Sequence, residues 1–183
     1  MKNAVKSFIG LIIVSVSCGG MSAQAGWSEW FSLKRAKEIV PINNELYQEE
    51  CGSCHFAYQP GLLPSRSWEK LMGAEALANH FGDNAELDEA TRTSLLAILV
   101  SASADTAASK RSKKIIASIK EGATPLRITE VPYIVTRHEE IPENLVKGNS
   151  KVNSLSQCQA CHQEIEQGVY DDDTVYIPGH GYW

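Results

Sequence analysis

The sequence predicts a mainly α protein built from two small halves, and three observations predict it. Apolar residues recur at helical spacing behind good N-caps, as with Leu95, Leu96, Ile98 and Leu99 behind Asp88. The rest reads as extended loops, with little or no sheet. The pentapeptide Cys-x-x-Cys-His occurs once in each half, as Cys51-Gly52-Ser53-Cys54-His55 and as Cys158-Gln159-Ala160-Cys161-His162.

The pentapeptide is the attachment pattern of c-type haem. The two thiols form thioether bonds to the porphyrin vinyl groups, and the histidine binds the iron. On a helix, positions i, i+3 and i+4 share one face, so a flat macrocycle can meet both sulfurs and the imidazole together. Two copies predict two covalently attached haem c groups, held by Cys51 and Cys54 in one half and Cys158 and Cys161 in the other. His55 and His162 are then the proximal iron ligands. Two disulfides or one zinc site could also use four such cysteines. A histidine directly after each second cysteine favours haem.

The chain opens with Lys2 and Lys6, an apolar run from Phe8 to Val16 and the small-residue site Ala23-Gln24-Ala25. This is the pattern of a cleavable export signal over residues 1–25. The run is shorter than the about 20 residues that span a bilayer. Cys18 could suggest lipid attachment, but Ser15 stands where such a site wants a Leu-like residue. Cleavage would leave four cysteines, all in the two pentapeptides. Haem c is attached outside the bacterial cytoplasm, so the leader and the motifs both predict a periplasmic protein.

A first amphipathic segment from Glu29 to Val40 should end before Pro41. A helix near 43–55 carries the first pentapeptide, and Pro60, Gly61 and Pro64 make a loop. Ser67, with Glu69 in the first turn, opens a helix through Trp68, Leu71, Met72 and Leu77 to about His80, stopped by Gly82. Asp88 caps the most apolar helix. Asp105 caps another, running to Lys120 and stopped by Gly122. Pro125, Pro132 and Pro142 forbid a long helix, and Ile128 to Val135 reads as extended. A final helix from Ser156 to Gln167 carries the second pentapeptide and stops at Gly168. The boundary falls near residue 121. It separates an N-terminal haem-centred domain, 26–121, from a C-terminal one, 122–183, with its tail. Each half is poor in large apolar residues, so the cofactor is expected to supply much of the core and the apoprotein to fold poorly.

The 183 residues carry 17 basic and 22 acidic side chains, a formal charge of −5. Nucleic acid is excluded as a partner, because phosphate binding needs a basic surface. No apolar run after the leader is long enough to cross a bilayer, so the mature protein should be soluble.

The ligand on the far side of each iron decides between electron transfer and chemistry on a bound molecule. Three further histidines exist: His80, His138 and His180. Met72 is the one internal methionine left after cleavage, so at most one haem could be His/Met, and Met72 reads better as helix packing. His180 lies in the Gly-rich tail Pro178-Gly179-His180-Gly181-Tyr182-Trp183, where mobility is expected.

Several stretches, in order from Tyr47 to Tyr170, resemble the dihaem cytochrome c family of bacterial periplasms. They are Leu63-Pro64-Ser65-Arg66-Ser67-Trp68, His80-Phe81-Gly82, Ile128-Thr129-Glu130-Val131-Pro132-Tyr133, Arg137-His138, the second pentapeptide, and Gly168 with Tyr170. The resemblance implies two haem domains with bis-histidine iron, the second ligands falling on His80 and His138. Sequence proximity pairs His80 with the first haem and His138 with the second, while a crossed arrangement stays open. It also implies partners of two kinds, a monohaem cytochrome c and a membrane b-type cytochrome.

Filled coordination leaves no place for oxygen or peroxide, so the function expected is a low-potential electron carrier and not an enzyme. Arg66, Arg127 and Arg137 are candidates to pair with haem propionates. The basic cluster Lys110, Arg111, Lys113, Lys114 and Lys120 is a candidate docking face for an acidic redox partner. The alternatives are a dihaem peroxidase or reductase with one open iron, or a haem sensor or complex subunit using residues 171–183 as an interaction arm.

Overall fold

The computed structural model describes residues 37–183. The export signal, Cys18 and positions 29–36 of the first amphipathic segment lie outside the described residues.

Seven α-helices are present among the described residues: α1 Glu45–Gly52, α2 Ser65–Leu71, α3 Ala74–Ala78, α4 Glu89–Ser101, α5 Lys110–Ser118, α6 Pro132–His138 and α7 Glu143–Val146. The sheet is one hairpin, β1 Tyr176–Ile177 antiparallel to β2 Gly181–Tyr182. The mainly α class holds.

Side-chain caps account for the starts of α1, α4 and α5. Asn44 accepts from the Tyr47 amide at 2.8 Å and opens α1. The Asp88 carboxylate accepts from the amides of Ala90 and Thr91, as its sequence position predicts. Four details differ from expectation. Ser67 caps no helix: it lies inside α2, which starts at Ser65 behind Pro64, and the helix expected to reach His80 breaks at Gly73 into α2 and α3. Ser109, not Asp105, caps α5, and the Asp105 carboxylate instead takes the Ser65 amide at the start of α2. The stretch 128–135 is not extended. It makes a 3-10 turn, Ile128–Glu130, and then enters α6 with Pro132 in the first helical turn, where a missing N–H costs nothing. The second pentapeptide does not lie on one α-helix either. One 3-10 turn, Cys158–Ala160, covers its first three residues, and a second, Ile165–Gln167, follows it.

The core gathers Ile39, Leu62, Leu63, Leu95, Leu99, Ile115 and Val131, all nearly inaccessible to solvent. α2 packs on α4, and α5 packs on α6. Trp68 fixes the Pro-rich loop by donating its indole N–H to the Pro60 carbonyl at 2.9 Å.

Long-range bonds join the two ends of the described chain. The amides of Glu38 and Ile39 both donate to the Gly168 carbonyl, at 2.9 and 3.1 Å. Gly168 has φ +78, and a Cβ there would collide with the Ile39 carbonyl oxygen.

Candidate functional site

The first pentapeptide straddles the C-terminal end of α1, which stops at Gly52. His55 therefore leaves the helix axis, and its Nδ1 is 2.8 Å from the Phe56 carbonyl. That contact puts the proton on Nδ1 and leaves Nε2 as the coordinating atom. His80 arrives from a tight turn. Its amide donates to the Asp83 carbonyl at 2.7 Å, and the Asp83 amide donates back at 3.2 Å. The intervening Phe81 and Gly82 have φ +57 and +110, the signs of a type I′ hairpin turn. The His55 and His80 rings face each other, with centroids 6.3 Å apart and planes at 22°.

In the second half, His138 ends α6 with its Nδ1 2.8 Å from the Ile134 carbonyl one turn back. It faces His162 of the second pentapeptide, with centroids 6.1 Å apart and planes at 72°. An imidazole nitrogen lies about 1.1 Å from its ring centre, and a metal–imidazole bond is about 2.0 Å. Two imidazoles on opposite sides of one iron therefore have centres about 6 Å apart. Both pairs meet this requirement.

Each pair also holds one unsatisfied imidazole: the Nδ1 atoms of His80 and His162 are buried without a hydrogen-bond partner. Burial lowers the pKa of both rings. His162 falls to about 4, helped by His138 and Arg111, and His80 falls with help from His55 and Arg127. Neutral imidazole is the form that binds metal. Burial pushes the Cys51 and Cys158 thiols up to about 11. None of the four described cysteines is in a disulfide. No group of three His, Cys, Asp or Glu side chains converges on a metal position among the described residues, so the zinc alternative lacks its geometry.

A cavity of about 600 Å³ lies between His138 and His162 and also touches Cys158, Cys161 and Arg137. A larger cleft, about 800 Å³, meets Cys54, His55 and five glutamines, but neither His80 nor Cys51 lines it. It is not the space between the first imidazole pair.

The three arginines proposed for propionates have protein partners. Arg66 donates to the Ala123 carbonyl at 2.7 Å and lies 3.8 Å from Asp105. The Arg127 guanidinium sits 3.9 Å above the Phe81 ring. Arg137 pairs with Asp172. The basic cluster is not uniform: Arg111 turns inward, pairing with Glu38 and donating to the Tyr170 carbonyl at 3.3 Å. Met72 is core packing. His180 sits exposed in the β1–β2 turn, its ring 5.7 Å from Trp183.

A buried polar link between the two motifs has little sequence signal. The Tyr58 ring lies 4.9 Å from the His55 ring, and its hydroxyl donates to the Ser156 carbonyl at 2.7 Å. Gln59 donates to the Ile165 carbonyl at 2.6 Å and accepts from the Tyr170 hydroxyl. Tyr170 in turn lies 5.3 Å from His162. Tyr58 follows the first pentapeptide closely and Tyr170 follows the second, while Gln59 carries no motif of its own.

The family model for dihaem cytochrome c matches residues 47–170. The chain belongs to the dihaem cytochrome c family. As a dihaem cytochrome c it carries two covalently bound c-type haems. A diheme cytochrome type c from Shewanella baltica is 39% identical with a TM-score of 0.63, the match covering 78% of this chain and 99% of that one. Two structures from Rhodobacter sphaeroides, a diheme cytochrome c and a purified DHC, are 37% and 36% identical. Their TM-scores are 0.63 and 0.57, and each match covers 72% of this chain and 100% of the other. No curated protein matches the chain. No helix among the described residues is long and apolar enough to cross a membrane.

Proposed function

We propose that this cytochrome is a low-potential electron-transfer protein of the periplasm. Cys51 and Cys54 attach the first haem, with His55 and His80 on its iron. Cys158 and Cys161 attach the second, with His162 and His138. The observation that carries the reading is the pair of imidazole separations, 6.3 and 6.1 Å, each joining one motif histidine to one distant histidine. Haem iron with two imidazoles exchanges an electron with little change in geometry, at a lower potential than with Met/His ligation.

The chain's own groups supply the rest. The carbonyls of Phe56 and Ile134 orient one imidazole of each pair and raise its basicity. Tyr58 bridges His55 to the carbonyl of Ser156, two residues before Cys158, and so joins the two motifs by one hydrogen bond. Burial pushes the Tyr58 hydroxyl up to about 12, so it stays protonated and keeps that bond. Arg127 opposes the shift. Tyr58→Phe should cost about 1 kcal/mol of stability, because it leaves a carbonyl unpaired, and should slow exchange between the haems. Flash reduction of one haem would measure that exchange, and an unchanged rate would remove Tyr58 from the path. By family resemblance, a monohaem cytochrome c and a membrane b-type cytochrome are the proposed partners.

The test is spectroscopic. The reduced c-type bands should be unchanged by carbon monoxide, because both irons are six-coordinate. A shift amounting to one haem would move the enzyme or sensor reading ahead. Electron paramagnetic resonance of the oxidised protein adds an independent check, since the relative orientation of axial imidazole planes fixes the ferric d-orbital splitting. The planes at 22° should give a rhombic low-spin signal, and those at 72° a signal dominated by one large g value. Two identical signals would contradict the geometry.

A further inference from the structure

We propose that the segment after Tyr170 is a clasp that holds the two iron ligands of the second haem together and closes that haem's cavity. The proposal rests on His138 and His162 being those ligands. The family match ends at residue 170, so the segment lies beyond it.

The segment reaches the proximal side through backbone. The Tyr176 amide donates to the Cys161 carbonyl at 3.0 Å, and His162 forms an isolated antiparallel bridge with Val175. A motif that is not on a continuous helix is thus held by a strand. On the distal side, Asp172 pairs with Arg137, the residue before His138 at the end of α6. One short segment therefore grips both ligand-bearing elements.

It also forms a wall. Val175, Ile177 and Trp183 line the cavity that contains His138, His162 and both cysteines of the second pentapeptide. Val175 and Ile177 are buried. The hairpin is anchored in turn: Asn149 donates to the Pro178 carbonyl at 2.7 Å, and the Trp183 amide donates to the Val175 carbonyl at 3.1 Å.

The parts differ in weight. The Arg137–Asp172 pair is solvent-exposed on both sides, at 43% and 66%, so it orients more than it stabilises. Closure depends on the apolar wall. Removing that wall admits water beside the iron and lets an axial imidazole leave, because hydrophobic surroundings control solvent access at a metal site.

The experiment compares the intact protein with a chain ended after Tyr170, and with the full-length double replacement Val175→Ser, Ile177→Ser in case the short chain does not accumulate. Carbon monoxide should bind one haem of the two in either variant. The near-perpendicular resonance signal should be lost while the near-parallel signal remains. Two haems that both stay inert, with both signals unchanged, would overturn the clasp. Opening of both haems equally would also overturn it, since the segment would then support the fold and not the second site. Carbon monoxide binding by the intact protein would instead defeat the ligand assignment on which the clasp rests, so the two failures are separable.

Discussion

Replacing His80 with alanine is expected to open one haem of two to carbon monoxide, and replacing His138 is expected to open the other. Each substitution removes one member of an imidazole pair whose centres are about as far apart as two ligands on one iron require. Among the described residues no other histidine or methionine is positioned to take over. Met72 is packed in the core, and His180 is exposed in the hairpin turn. Half of the total haem should therefore bind carbon monoxide in each variant. The surviving resonance signal identifies the haem left intact: near-perpendicular in the His80 variant and near-parallel in the His138 variant. Reversed signals would mean that the pairs are crossed. A variant with no open haem would mean that the histidine replaced is not a ligand. Replacing His80 with methionine should give a six-coordinate iron of higher potential, since Met/His ligation raises it.

Gly168→Ala is expected to be the most damaging single-methyl addition outside the haem sites. The residue has φ +78, where an L side chain costs about 1–2 kcal/mol. Its new Cβ would meet the Ile39 carbonyl oxygen and lie 3.0 Å from Pro41 Cδ. The Gly168 carbonyl also accepts both the Glu38 and Ile39 amides, so the two segments cannot separate without losing those bonds. Overpacking adds about 1–3 kcal/mol, and the total, about 2–5 kcal/mol, is a large part of a typical domain's stability. Thermal unfolding followed at the haem band should show a drop of roughly 5–15 °C. Gly122→Ala is the control. It has a similar φ of +75 with nothing within 4 Å of the added atom, so it should lose only the backbone term.

The cofactor chemistry was legible because it depends on covalent spacing: two cysteines and a histidine in a fixed pentapeptide need no tertiary context. Helix starts were legible where a cap had no competitor, as at Asp88. Asp105 misled because its carboxylate had a better use across the fold, on the Ser65 amide. The stretch 128–135 misled because Pro132 reads equally as a helix breaker and as a first-turn residue. His80 and His138 stood out as histidines, but their pairing depends on a turn with two positive φ values and on α6, and neither is visible in composition. Arg111 looked like its neighbours Lys110, Lys113 and Lys114. Only the position of Glu38, 73 residues earlier, turns it inward. Gln59 and its bond to the carbonyl of Ile165, 106 residues on, had no local signature.

That last contact has a consequence for how the molecule is made. The bonds from Tyr58 to Ser156, from Gln59 to Ile165 and from Glu38 to the Tyr170 amide span 98, 106 and 132 residues. Ribosomes deliver the first pentapeptide long before the partners that will enclose it. The long loops of chain between them must close before these bonds can form, which slows folding. The second pentapeptide arrives almost together with the residues that seal the fold. Until residues 156–170 are in place these bonds cannot form, so the surroundings of the first motif are completed only with the arrival of the second.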